Sequence, residues 1–155
     1  MWKHHAPNLL SLCLVLIAGC FFLFRPTPHV LEKTSFQLPD GSQVIAEIAR
    51  TEEEQRKGLG GRRGLNEGEG MYFPFVEPSV RTFWMKDMTF AVDIVWLREG
   101  TVVGVEAQVP PPKDPKEPLR TYPSVVPIDA VLELSAGDAE AHGLLPGTQL
   151  LPLDE

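Results

Sequence analysis

Helix breakers set the first limit on this chain. Fifteen prolines and thirteen glycines fall within its 155 residues. Each interrupts a helical ladder, proline by lacking the N–H and glycine by loosening the backbone. That density favours many short elements joined by turns over a helical bundle. The composition, 43% hydrophobic and 23% charged, is that of a folded domain. The length suits one domain of ordinary size once any targeting segment is set aside.

The pattern along the chain agrees. Thr34 to Leu38 and Gln43 to Ala49 alternate in polarity around Pro39-Asp40-Gly41, which predicts a hairpin. Thr51-Glu52-Glu53-Glu54 has the form of a capping box, with Arg56 and Lys57 in the last turn and Gly58 as the stop. Leu59 to Gly70 is a Gly/Arg-rich loop. Met71 to Phe75 and Arg81 to Met85 read as strands around a Pro78 turn. Phe90 to Leu97 and Thr101 to Val109 form a second hairpin turning at Arg98-Glu99-Gly100. Pro110 to Pro118 is a proline-dense loop, Ala130 to Leu134 a strand, Gly137 to His142 a short helix, and Gln149 to Leu151 a last strand. About eight short strands with two short helices imply a mainly-β, single-domain sandwich or barrel-like fold.

The N-terminus is different in kind. Leu9 to Phe24 carries no charge, and Arg25 closes it. Helical, it reaches roughly 24 Å, short for a spanning helix and long for a signal-peptide core. Ile17-Ala18-Gly19-Cys20 has the form of the lipobox cut before a cysteine that is then lipidated, which makes Cys20 a candidate lipidation site. Phe21 to Phe24 continues the apolar run, as an uncleaved anchor would. A cleaved, released form is the third alternative. The expected organisation is a signal or anchor segment at 1–25, a proline-stiffened linker at 26–33 and the domain at 34–155. All three alternatives place the domain outside the cytoplasm, at the bacterial cell envelope, and the first two hold it at the membrane.

Charge and residue inventory narrow the chemistry. The formal net charge is -7 and no basic stripe is present, so a nucleic-acid partner is not expected. Both cysteines, Cys13 and Cys20, lie in the apolar run, and His142 is the only histidine beyond residue 29. No His/Cys zinc site can be built from the domain. An oxygen-only site for a hard cation stays open, but no EF-hand-like spaced Asp/Asn loop is present, and neither a metal nor another cofactor is expected. There is no GxSxG elbow, phosphate loop or HExxH string.

The densest chemistry is Arg81-Thr82-Phe83-Trp84-Met85-Lys86. On a strand, Phe83 and Met85 point one way and Trp84 and Lys86 the other. Trp84 beside Lys86 suits a pocket that stacks a ring or sugar and holds an anion, though a core tryptophan beside a solvated lysine gives the same string. Arg62 in the glycine loop and Tyr122 after the proline loop are further ligand-binding candidates. Phe90 to Leu97 is apolar on both faces around Asp93, so Asp93 is expected to be buried and held in a structural ion pair. A three-residue loop before the strand puts Arg81 on its side and a four-residue loop Lys86, because one step of register flips the face; Arg62 is the outside candidate.

The chain from about Thr34 to Leu151 resembles the DUF192 (UPF0127) family. The resemblance rests on Arg56-Lys57-Gly58-Leu59, Arg62 with Leu65, Gly70-Met71, Phe73, Phe75, Phe83-Trp84-Met85-Lys86, Asp93-Ile94, Tyr122, Val131-Leu132-Glu133, Gly137, Gly143-Leu144 and Pro146-Gly147. Gly60 and Asp87-Met88 depart from the family's usual Met and Asn-Thr. The resemblance implies a compact, mainly-β domain and supplies no activity. Three functions stay open. One is a non-catalytic binding or accessory module for a small anion or glycan. The second is a carboxylate-dependent hydrolase using Asp93 and Glu133, and the third a protein-interaction module docking by a strand edge or the proline loop.

Overall fold

The computed structural model describes residues 30–114 and 117–153. The expected anchor segment and Cys20 lie outside the described residues. Among those described, no helix is long and apolar enough to cross a membrane.

Eight strands and two short helices follow in the order β1 (Lys33–Gln37), β2 (Gln43–Ile48), α1 (Glu52–Lys57), β3 (Glu69–Ser79), β4 (Thr82–Trp84), β5 (Val92–Arg98), β6 (Thr101–Val109), β7 (Thr121–Pro123), β8 (Ile128–Ser135) and α2 (Asp138–Ala141). Both expected hairpins form, with Phe36 opposite Val44 and Arg98 opposite Thr101. The second turns through Glu99 and Gly100, both at positive φ, as a two-residue turn matched to strand twist requires. In α1, Thr51 Oγ1 accepts from Glu54 N–H and the Glu54 carboxylate accepts from Thr51 N–H, so the capping box is complete.

The architecture is one mixed, open sheet in the order β1-β2-β3-β8-β5-β6, with a separate β4-β7 ribbon. A two-sheet sandwich or closed barrel was the expectation from strand count. The difference comes from long-range pairing. β2 and β3 run parallel across the crossover that contains α1, and β8 inserts between β3 and β5. The expected last strand, Gln149 to Leu151, makes one isolated bridge, Gln149 to Thr101, and the following Pro152 makes another to Phe36, so residues near the C-terminus bond to both edge strands. β7 is a strand the alternation did not predict, and β3 runs on through Pro78 where a turn was expected. β1 begins at Lys33, one residue before the expected boundary, and Glu32 C=O accepts from Ile48 N–H.

Both faces of the sheet are covered. One carries Phe36, Leu97, Leu132 and Leu134 packed with Ala139 of α2, Leu144 and Leu150. The other carries Phe73, Ile94, Trp96 and Val131 under Leu59 of the glycine loop, Met85 and Tyr122. β5 accordingly supplies Val95 and Leu97 to the first face and Val92, Ile94 and Trp96 to the second, which is the division its alternation predicts. Burying such strands on both sides is the main source of stability, at about 25 cal/mol per Å² of apolar surface removed from water.

Candidate functional site

A cavity of about 230 Å³ opens on the second face, between the C-terminal end of α1, β3, β4 and β8. Phe73, Phe83 and Trp84 supply aromatic wall, and Arg56, Lys57, Arg81 and Lys86 supply cations. Glu133 of β8 reaches the cavity from the sheet.

Sheet register explains why a glutamate stands there. Glu133 lies opposite Met71 of β3 and Ile94 of β5. Paired residues project to the same face, so its carboxyl shares the side of these two apolar residues. It is 6% exposed, and no hydrogen bond or ion pair to it occurs among the described residues. Burial pushes its pKa up to about 8, because losing water penalises the charged form. At neutral pH Glu133 is therefore mostly a carboxylic acid, able to donate a hydrogen bond into the cavity.

The walls are ordered by ring contacts. Phe83 meets Phe73 at 5.2 Å and Trp96 at 5.5 Å, both edge to face. Phe83 and Met85 turn inward while Trp84 and Lys86 lie on the exposed side; alternation predicts the split, and the packing decides which side faces the core. Trp84 is 44% exposed, so it is a wall and not core. Arg81 is held in place: its guanidinium carbon sits 4.2 Å from the Phe75 ring centre, and Nη2 donates to Glu77 C=O at 3.1 Å.

Two of the four predicted ligand-binding residues, Trp84 and Lys86, line this cavity. Arg62 does not. Its two terminal nitrogens donate to the Glu47 carboxylate at 3.0 and 2.6 Å, tying the glycine loop to β2. That bond holds the Glu47 pKa below its ordinary value and raises that of Arg62. Tyr122 is buried in the core of the second face with the Arg120 guanidinium 5.1 Å from its ring centre, so it pins the ribbon instead of rimming a pocket.

The predicted Asp93–Arg81 ion pair is replaced by a different arrangement. Asp93 is 0% exposed, as expected, but backbone groups hold it. Oδ1 accepts from Gln108 N–H at 2.7 Å, and Oδ2 accepts from Gly137 and Ala139 N–H, each at 2.9 Å. Arg81 is occupied at Glu77 and Phe75. Backbone donors take the place of a cation because β6 bends at Gln108, a non-glycine at positive φ, and the start of α2 turns its N–H groups to Asp93. From the sequence, Glu133 is a candidate hydrolase carboxylate, and Arg56 and Lys57 are cations favoured by the end of a helix; the fold brings all three to one cavity. The signal for their common site was a charged residue inside the apolar run of β8.

A surface cluster superficially resembles a hydrolytic triad. Ser42 Oγ donates to Asp40 Oδ1 at 2.6 Å and lies 3.1 Å from His142 Nδ1, while Asp40 Oδ2 is 2.7 Å from the same Nδ1. A catalytic triad places serine and carboxylate on opposite ring nitrogens, so this cluster is a tie between the first hairpin and the end of α2. The Ser42 and His142 bonds hold the Asp40 pKa well below the usual carboxylate range.

The arrangement defines a small mixed-sheet domain with a cationic, aromatic-walled pocket over a buried acid. The chain belongs to the DUF192 family, described as Uncharacterized ACR, whose family model matches residues 36–151. Two solved structures share the fold. A Sinorhizobium meliloti protein, given the provisional name of transcription regulator, superposes with a TM-score of 0.73 at 25% identity over 81% of this chain and 98% of that one. A Novosphingobium aromaticivorans protein of unknown function gives 0.68 at 29% identity over 82% and 89%. No curated protein matches this chain.

Proposed function

We propose that this chain is a binding module of the cell envelope, tethered at the membrane by its apolar N-terminal segment, whose pocket takes a small anionic molecule. The observation that carries the binding reading is Glu133: a buried, unpartnered carboxyl at the sheet side of a cavity ringed by Arg81, Lys86 and aromatic wall. Burying such a group costs stability, and its place on a pocket is accounted for if a ligand pairs with it. The anionic preference follows from four rim cations on a chain whose formal charge is -7. The tether rests on the uncharged run Leu9 to Phe24, with Cys20 the residue that lipidation would use.

The hydrolase reading has lost a partner. Glutamate-pair chemistry needs a second carboxyl in the cleft, and Asp93 commits both oxygens to backbone donors away from the pocket. Docking by a free strand edge is also less favoured, since the chain near Gln149 and Pro152 bonds to both edges.

Titrating the full chain with a panel of small organic acids, sugars and sugar acids, followed by amide shifts, tests the pocket. Shifts are expected at Gly58, Thr82 and the Trp84 indole, and their loss in Lys86→Ala. A panel that moves none of these signals overturns the reading. Retention of the chain with membranes after a high-salt wash is the expected result for the tether, because apolar burial is not screened; recovery of the unprocessed chain in the soluble fraction overturns it.

A further inference from the structure

Resting on that binding reading, we propose that the ligand is a small ring acid: a flat unsaturated ring, a carboxylate at the cationic mouth, and a hydrogen-bond acceptor opposite it that Glu133 meets as donor.

Size sets the first bound. A cavity of roughly 150 Å³ lined by apolar side chains holds benzene, so about 230 Å³ accommodates one ring with two substituents. The polar inventory of the lining sets the second. Apart from Glu133 and the Trp84 indole, Gln55 and Thr82 are its uncharged polar side chains. Gln55 spends its amide nitrogen on Ala49 C=O at 3.2 Å and Pro74 C=O at 3.1 Å. A hexose brings hydroxyls around its whole edge, and each one buried without a partner costs free energy. A ring that is apolar along its edge fits Phe73, Phe83 and Leu59 without that cost.

The glycine loop decides between carboxylate and phosphate. Glycine-rich loops that take phosphate do so with free backbone N–H groups. Here Gly58, Gly60 and Gly61 already donate to Glu54, Lys57 and Asp87 carbonyls, so the loop offers no cradle. The anion therefore meets side-chain cations, and Arg81, held on Phe75 and Glu77, is placed before the ligand arrives, which lowers the ordering cost of binding. The far end of the ring faces Glu133. Burial among Met71, Ile94 and Phe73 favours the neutral form of this carboxyl, and a neutral acid in that position donates and does not repel the ligand's charge.

The test uses the full chain and five probes: 4-acetylbenzoate, 4-isopropylbenzoate, methyl 4-acetylbenzoate, glucuronate and inorganic phosphate. 4-Acetylbenzoate is expected to shift the Gly58, Thr82 and Trp84 signals. The isopropyl analogue, matched in shape without the acceptor, and the uncharged ester are each expected to bind about tenfold more weakly or worse. In Glu133→Met the preference for acetyl over isopropyl disappears, while in Glu133→Gln, whose amide still donates, it persists. Circular dichroism melts establish that each variant is folded before it is titrated. Shifts with glucuronate or phosphate and none with the benzoates overturn the ring-acid assignment and leave the binding reading standing. Silence from all five probes counts against both, and an acetyl preference that survives in Glu133→Met removes Glu133 from the assignment.

Discussion

An acid whose pKa is raised by burial weakens a fold as its proton leaves, and Glu133 makes this measurable. Its ordinary value is 4.5 and its folded value is about 8. Between the two, the folded chain holds more protons than the unfolded one, so this group makes stability fall as pH rises. Below about 4.5 it contributes no slope, and above about 8 both states are ionised and its penalty is fully present. Each pKa unit is worth about 1.4 kcal/mol, which makes the total several kcal/mol at most. Denaturant midpoints at pH 5, 7 and 9 are expected to decline for the native chain through this window. Glu133→Gln should flatten the decline and be the more stable protein at pH 9. Parallel profiles for the two proteins would show that the carboxyl is solvated after all.

At the scale of elements, Asp93 is the residue that joins three of them. From β5 it receives one N–H of bent β6 and two at the start of α2. An Asp93→Ala change leaves those three donors without an acceptor, at about 1–3 kcal/mol for each that water cannot reach. We expect a loss on the order of 3–5 kcal/mol in chemical denaturation, with Asp93→Asn intermediate because its amide oxygen still accepts. A variant as stable as the native chain would defeat the structural role. The expected magnitude is the same as for an ion pair, but the discriminating observation differs: Arg81→Met should leave Asp93's contribution untouched. Which elements were legible follows the same division between near and far. The capping box of α1 and both hairpin turns were readable, because donors, acceptors and turn residues lie within a few positions of one another. β7 was not. Its three residues are a strand only because Tyr122 lies opposite Phe83, nearly forty positions away, and nothing in Thr121-Tyr122-Pro123 alone selects that partner.

For the molecule as a whole, the two apolar faces of the sheet are closed within residues 31–153, and both cysteines lie upstream at positions 13 and 20. A chain starting at Leu31 is therefore expected to unfold in one cooperative step whose midpoint is the same with and without reducing agent. Starting at Thr34 instead should lower the midpoint, since Glu32 and Lys33 bond or pair with β2. Equal midpoints for the two would show that the first strand needs neither residue. Breaker spacing and two-residue alternation were enough to establish a mainly-β domain of about eight strands, because those signals act between neighbours in the chain. They also put Trp84 and Lys86 on one side of their strand, without deciding which side faces the core. The order β1-β2-β3-β8-β5-β6 was beyond them. So was the placing of Glu133 and Arg81, 52 positions apart in number, in the lining of one cavity. Several pairings of the same strands satisfy the same alternation, and the choice among them is made when both faces of one sheet are buried at once. The same choice gave Asp93 backbone donors in place of a cation and left Glu133 as the pocket's unpaired acid.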